Sequence, residues 1–212
     1  LAVSSIAINP INPDIMYIGT GEIGSIYKRA QVGTPGARST YGMGVLKSTN
    51  GGAAWSLTGL VFTFPEITAI QKVLLNPRNP NTIYAATSEG TYKSIDAGAT
   101  WSKKHSVLMA MDIVINPIDT TILYAAYGQR NSTANPGLYK SVDAGNTWAI
   151  LSGGLPTTNF GRTSLSISPS NPQIIYAGIA NASTSQILGL YKTTDAGTTW
   201  SLMSITNYVN AQ

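Results

Sequence analysis

The stretch Tyr139–Trp148, YKSVDAGNTW, holds a hydroxyl, a carboxylate, a glycine and an indole within ten residues, so it reads either as a reactive turn or as a structural one. Repetition separates the two. LKSTNGGAAW ends at Trp55, YKSIDAGATW at Trp101 and YKTTDAGTTW at Trp200, which makes four copies with the first. A second string precedes each copy: INPINPDIMY, LNPRNPNTIY, INPIDTTILY and ISPSNPQIIY. In every one, a proline (Pro10, Pro77, Pro117, Pro169) stands seven residues before a tyrosine (Tyr17, Tyr84, Tyr124, Tyr176). The tryptophans are 46, 47 and 52 residues apart, a period expected of β-propeller blades, which bury their faces only by stacking.

Each unit divides into four predicted strands. An apolar run such as MDIVI stops at Asn-Pro, since proline cannot donate to a sheet ladder. TIYAAT and IIYAGI are β-branched and aromatic second strands, GLYKS is the third, and the fourth starts at Thr-Trp. The expected fold class is all-β: a propeller of four-stranded antiparallel blades, four in this chain, at about 1–61, 62–106, 107–152 and 153–212 of one module spanning 1–212. Between the third and fourth strands the turn suits a tight hairpin. Asp or Asn can accept from backbone N–H groups just ahead, and glycine supplies positive φ.

The pattern Ser/Thr-x-Asp-x-Gly-x-Thr-Trp resembles the Asp-box, or BNR repeat, of sialidases, sortilin-type receptors, xyloglucan-degrading hydrolases and many bacterial surface proteins. The resemblance covers essentially the whole chain, with Asn50 and Ala54 replacing Asp and Thr in the first unit. It implies structural roles, away from the ligand face, for Ser48, Asn50, Gly52 and Trp55; Ser94, Asp96, Gly98 and Trp101; Ser141, Asp143, Gly145 and Trp148; and Thr193, Asp195, Gly197 and Trp200. The tryptophans are expected to be buried between blades.

Composition narrows the chemistry. There is no cysteine, hence no disulfide or thiolate site, and one histidine, His105, which leaves a histidine metal cluster or a Ser-His-Asp triad hard to build. Neither a metal nor a cofactor is expected. A net charge of +4 without basic runs argues against nucleic acid, and no apolar run is long enough to span a membrane as a helix. Charged residues are only 10% of the chain, a balance suited to an all-β protein that is secreted or at a cell surface. The chain opens at Leu1 rather than methionine, which leaves room for an upstream leader or domain.

If the repeated motifs are scaffold, function is expected where the units differ. From strand-two tyrosine to hairpin tryptophan the intervals are 38, 17, 24 and 24 residues, and from that tryptophan to the next shared proline 22, 16 and 21. The variable connections emerge together on one face of a propeller, opposite the hairpins. The longest is residues 19–44, and YGQRNSTANPG, FTFPEIT and LPTTNFGRT add to it. The expected carbohydrate or protein ligand would meet Arg29, Arg38, Tyr41, Phe64, Arg130, Phe160 and Arg162, arginine forks binding carboxylate or sulfate and aromatics stacking on sugar or peptide.

A glycoside hydrolase needs two carboxylates about 5–10 Å apart. Outside the repeated turns, Glu22, Glu66 and Asp112 are the acids expected to face the channel, with Asp112 notable for lying on an innermost strand. Against an enzyme stand the absence of the sialidase Arg-Ile-Pro motif and of any tryptophan free of the hairpins. The main expectation is therefore a non-enzymatic binding or scaffold module. Its alternatives are a xyloglucanase- or sialidase-like glycoside hydrolase or its remnant, using Glu22, Glu66 or Asp112, and an assembly subunit joining copies or further blades through open blade edges.

Overall fold

The computed structural model describes residues 2–22, 41–63, 66, 68–129 and 134–203. Every regular element among them is a strand. The strands form four antiparallel sheets, each of four consecutive strands in simple order. The first sheet is β1 (Val3–Ile8), β2 (Met16–Thr20), β3 (Gly44–Ser48) and β4 (Ser56–Val61). The second is β5 (Ile70–Leu75), β6 (Ile83–Thr87), β7 (Gly90–Ser94) and β8 (Ser102–His105). β9 (Ala110–Ile115), β10 (Leu123–Tyr127), β11 (Gly137–Ser141) and β12 (Ala149–Ile150) form the third. β13 (Phe160–Ile167), β14 (Ile175–Asn181), β15 (Ile187–Thr193) and β16 (Ser201–Met203) form the fourth. These are propeller blades, and the chain is a β-propeller of the all-β class.

Two compact units contain them, Leu1–Ala110 and Met111–Gln212. In the first, Tyr17, Val45, Leu60 and Phe62 of blade one meet Ile70, Val73, Leu75 and Ile83 of blade two in one apolar core. In the second, Val114, Tyr124 and Leu138 of blade three meet Phe160, Leu165, Ile179 and Trp200 of blade four. Burial of such surface, at about 25 cal/mol per Å², is what holds one blade on the next.

Asparagine, as well as proline, ends the first strand of three blades. Asn9 Oδ1 accepts from the N–H of Ile11 at 2.9 Å and of Asn12 at 3.2 Å; Asn76 and Asn116 do the same two and three residues ahead. Blade four uses Ser168 Oγ, which accepts from Asn171 N–H at 3.2 Å. The side chain thus replaces the ladder that proline interrupts.

Candidate functional site

The repeated hairpin is a closed hydrogen-bond circuit. Ser141 Oγ donates to Asp143 Oδ1 at 2.8 Å and accepts from Gly145 N–H at 2.8 Å, while Asp143 accepts from Thr147 N–H at 2.9 Å and from its hydroxyl at 2.7 Å. The same bonds recur around Asp96 and Asp195. The aspartate therefore reaches four residues ahead, farther than the adjacent N–H groups that turn chemistry alone suggests. With hydroxyl and backbone donors on the charged form, led by the threonine hydroxyl in each, these three carboxylates are held down at about 2. Asn50 keeps the backbone bond, accepting from Ala54 N–H at 2.9 Å. These groups are saturated by structure, and none is poised to exchange a proton near neutral pH.

The residue after the aspartate joins one blade to another. Ala97 and Ala196 stand at φ 57° and 55°, and their N–H groups donate within the blade, to Asn81 and Gln173 carbonyls at 2.9 and 3.0 Å. Their own carbonyls are left pointing at the preceding blade. Ala97 O accepts from Tyr17 Oη at 3.1 Å and Lys47 Nζ at 3.2 Å; Ala196 O accepts from Tyr124 Oη at 2.8 Å and Lys140 Nζ at 2.9 Å. Each ammonium also lies 5.5 Å from the ring centroid of its tyrosine. Tyrosine, lysine and hairpin are one latch.

Tryptophan burial is uneven. Each of Trp55, Trp101 and Trp200 donates its indole N–H to the glycine three residues before it, at 3.0, 3.0 and 3.2 Å. Trp200 is buried and Trp101 and Trp148 are half-buried, but Trp55 is 37% exposed, so the expectation of burial between blades fails for blade one.

Asp112, expected as a channel-facing acid, is instead a buried brace. Its Oδ2 accepts from Leu165 N–H at 2.7 Å, joining β9 to β13, and its Oδ1 from Ile113 N–H at 2.8 Å. Ser5, at the same position five residues before its shared proline, does the same job: its Oγ accepts from Val73 N–H at 3.0 Å, joining β1 to β5. A serine in the equivalent role shows that the site needs an acceptor for an edge N–H. It does not need an acid.

The variable connections leave from a fixed neck. Thr20 Oγ1 donates to Gly44 O at 2.6 Å across 23 intervening residues, and Thr87 Oγ1 donates to Gly90 O at 2.8 Å across two. Beside the first neck, Gly42 N–H donates to Thr68 O at 2.9 Å, and a Cβ on Gly21 would lie 2.5 Å from Gly42 N. Backbone contact this close requires glycine on both sides. Glu22 follows Gly21, Tyr41 precedes Gly42 and Glu66 lies two residues before Thr68, so all three flank this neck in the chain. Glu22 is exposed, Tyr41 half-buried, and exposed Glu66 accepts from the N–H and, at 2.9 Å, the hydroxyl of Thr63 while Glu66 N–H returns to Thr63 O, a reciprocal cap.

The other ligand candidates divide. Phe160 is a core side chain, buried with Leu165, Ile179 and Tyr191, because it alternates with exposed Arg162 along β13. It cannot present a stacking face. Phe62 is buried likewise, edge-on to Tyr92 with centroids 6.0 Å apart. Arg162 remains exposed beside Ser164. Arg29, Arg38, Phe64 and Arg130 lie outside the described residues. At the opposite, hairpin end of the second unit, a groove of 560 Å³ is lined by Asn116, Asn171, Gln173 and Asp195. Its asparagines and aspartate are already engaged by their own turns, which makes it a by-product of blade stacking.

Comparison with known proteins revises the functional expectation. The chain is 27% identical over 93% of its length to the xyloglucanase Xgh74A of Acetivibrio thermocellus, and 26% identical over 93% to a xyloglucanase of a Paenibacillus species. It spans 19% and 16% of those proteins, so about a fifth of each at most. Among solved structures, an ancestral GH74 enzyme superposes over 95% of this chain and 24% of its own with a TM-score of 0.71, at 21% identity, a likeness of fold. The reading as a non-enzymatic binding or scaffold module is overturned by these relatives, which are glycoside hydrolases along nearly the whole of this chain. The DUF6242 beta propeller domain matches residues 34–211, and the chain belongs to that family of β-propellers.

Proposed function

We propose that this chain is a propeller portion of an extracellular glycoside hydrolase acting on a xyloglucan-type polysaccharide. The observation that carries the reading is the 26–27% identity to xyloglucanases sustained over 93% of the chain. The acids carried forward for the work are Glu22 and Glu66, which flank in sequence the neck where the longest connection leaves blade one. Asp112 is committed to the backbone of β13 and takes no part. The hairpins read as Asp-boxes: three share a circuit of hydroxyl, carboxylate and glycine, and the first keeps it with the Asn50 amide in place of the carboxylate. Their work is to hold that neck still, which positions catalytic groups better than a mobile loop would.

Reducing-sugar release from xyloglucan, with binding in xyloglucan-containing gels, tests this on the complete polypeptide. Hydrolysis that falls at least about 100-fold in Glu22→Gln or Glu66→Gln, with melting unchanged, is expected of an acid or base in the reaction. A complete polypeptide that shows no hydrolysis of xyloglucan and no retardation by it would overturn the reading.

A further inference from the structure

The hairpin of blade one departs from the other three at two adjacent positions. Where they read Asp-Ala, at Asp96-Ala97, Asp143-Ala144 and Asp195-Ala196, it reads Asn50-Gly51. Asparagine before glycine is the dipeptide most open to deamidation, because the next backbone nitrogen reaches the side-chain amide with no Cβ in the way. Context singles the pair out. Of the 15 asparagines seven precede proline, whose nitrogen has no proton to lose, and Asn50 alone precedes glycine. Asn50 is exposed, and so is Asp96 at the same place in blade two, whose hairpin is latched to blade one by Tyr17 and Lys47. Exposure here is a property of the hairpin tip.

The closed hairpin keeps both reacting groups occupied. Gly51 N–H donates to Asp14 O at 3.0 Å, the bond that Ala97 and Ala196 make to Asn81 and Gln173. Asn50 Oδ1 accepts from Ser48 Oγ at 3.0 Å and from Ala54 N–H at 2.9 Å, which holds the amide forward, towards Ala54. Ser48 Oγ in turn accepts from Gly52 N–H at 2.9 Å, so the chain on either side of Gly51 is pinned to one hydroxyl. Ring closure needs the Gly51 nitrogen to lose its proton and swing onto Asn50 Cγ. With Asp14 O and Ser48 Oγ engaged, that path is shut.

We propose that Asn50 is a deamidation site gated by its own hairpin. When the turn opens, Gly51 N gives up its proton and attacks Asn50 Cγ, the Cγ–Nδ2 bond breaks, and ammonia leaves a succinimide behind. Water then opens the ring at either carbonyl, giving aspartate or isoaspartate, and the net charge of +4 falls by one. The two products differ in what they can rebuild. Aspartate restores the acceptor that the other three hairpins carry, and Ser48 and Ala54 bond it as they bond the amide. Isoaspartate routes the main chain through the side-chain carbons, so the path from Ser48 to Gly52 grows by a methylene and the circuit around the Ser48 hydroxyl no longer closes. A hairpin that has opened is thereby marked covalently.

Peptide mapping by mass spectrometry reads the conversion in the complete polypeptide, aged at mildly alkaline pH both folded and in urea. Labelling by an isoaspartyl methyltransferase separates the two products. Conversion at Asn50 is expected to be at least about tenfold slower folded than unfolded, with isoaspartate among the products. Ser48→Ala should close most of that gap while the chain stays folded. Where it does not fold, Trp55→Phe, which loses the indole bond to Gly52 O, takes its place. Gly51→Ala asks alanine for φ 67°, close to the 57° of Ala97, with its Cβ 3.5 Å from Asp14 Oδ1, and should convert at least about tenfold more slowly than the parent in urea. Equal rates folded and unfolded, an Asn50 left intact in urea, or a folded hairpin variant as slow as the parent overturns the proposal. Aspartate without isoaspartate, or a Gly51→Ala chain as fast as the parent in urea, overturns the ring-closure route and the gate with it.

Discussion

Tyr124 Oη donates to the carbonyl of Ala196 at 2.8 Å, a bond between a strand of one blade and the hairpin of the blade after it. Ala196 can offer that carbonyl because its left-handed backbone, φ 55°, turns its N–H inward to Gln173. The Tyr–Lys pair of the repeat therefore acts between blades and the Asp–Thr pair within one.

Removal of one latch bond should weaken the second unit measurably. Tyr124→Phe is expected to cost about 0.5–1.5 kcal/mol, the net worth of an ordinary hydrogen bond, in urea unfolding. Tyr176→Phe serves as the comparison. Its side chain is 37% exposed, and its change should stay within about 0.5 kcal/mol.

Hairpin aspartates should make the protein acid-sensitive in a definite window. Their folded values, about 2, lie below the ordinary 3.8, so their contribution is complete above pH 3.8 and is lost as pH falls towards 2. Asp143→Asn should retain more of the melting temperature than Asp143→Ala, since Asn50 keeps the backbone bond in blade one. Its acid transition should also be shallower than that of the parent.

At the alkaline end the tyrosines set the limit. Tyr17 is pushed up to about 12 by burial, and Tyr124 to about 12 by burial and then by the Asp195 charge, against an ordinary 10.0. A raised folded value means that stabilisation is complete below pH 10 and drains away as pH rises towards 12. Absorbance at the tyrosinate band should show late-ionising groups whose titration coincides with unfolding, and Tyr124→Phe should remove one of them.

Asp112 should behave as a brace. Asp112→Ser is expected to fold and to keep any hydrolytic activity, because Ser5 makes the equivalent bond to Val73. Asp112→Leu strands buried Leu165 and Ile113 N–H groups and should cost about 1–3 kcal/mol each in chemical unfolding. Activity lost in Asp112→Ser with stability intact would count against this assignment.

Two strand glycines should differ in tolerance. Gly90 stands at φ 118°, and a Cβ there would lie 2.1 Å from His105 O, so Gly90→Ala should destabilise by more than about 1 kcal/mol. Gly178 faces open space on its sheet. Gly178→Ala should leave the melting temperature of the isolated chain unchanged or slightly raised.

Four blades, their strands and their hairpins were written in the sequence, because each rests on contacts within a few residues: alternation along a strand, Asn-Pro at its end, Ser-x-Asp-x-Gly at its turn. Glu22 and Glu66 were legible as acids on connections of variable length, and the neck of Thr20, Gly21 and Gly42 beside them was not. What the tertiary structure alone decided lies across long separations. Tyr17 meets a carbonyl 80 residues away, Tyr124 one 72 away, and Asp112 an N–H 53 away. An acid on an inner strand looks the same in sequence whether it awaits a substrate or a neighbour's backbone, and Phe160 looks the same on a loop or in a core. Only the stacking of one blade on another, driven by apolar surface that no single blade can bury, chose between them.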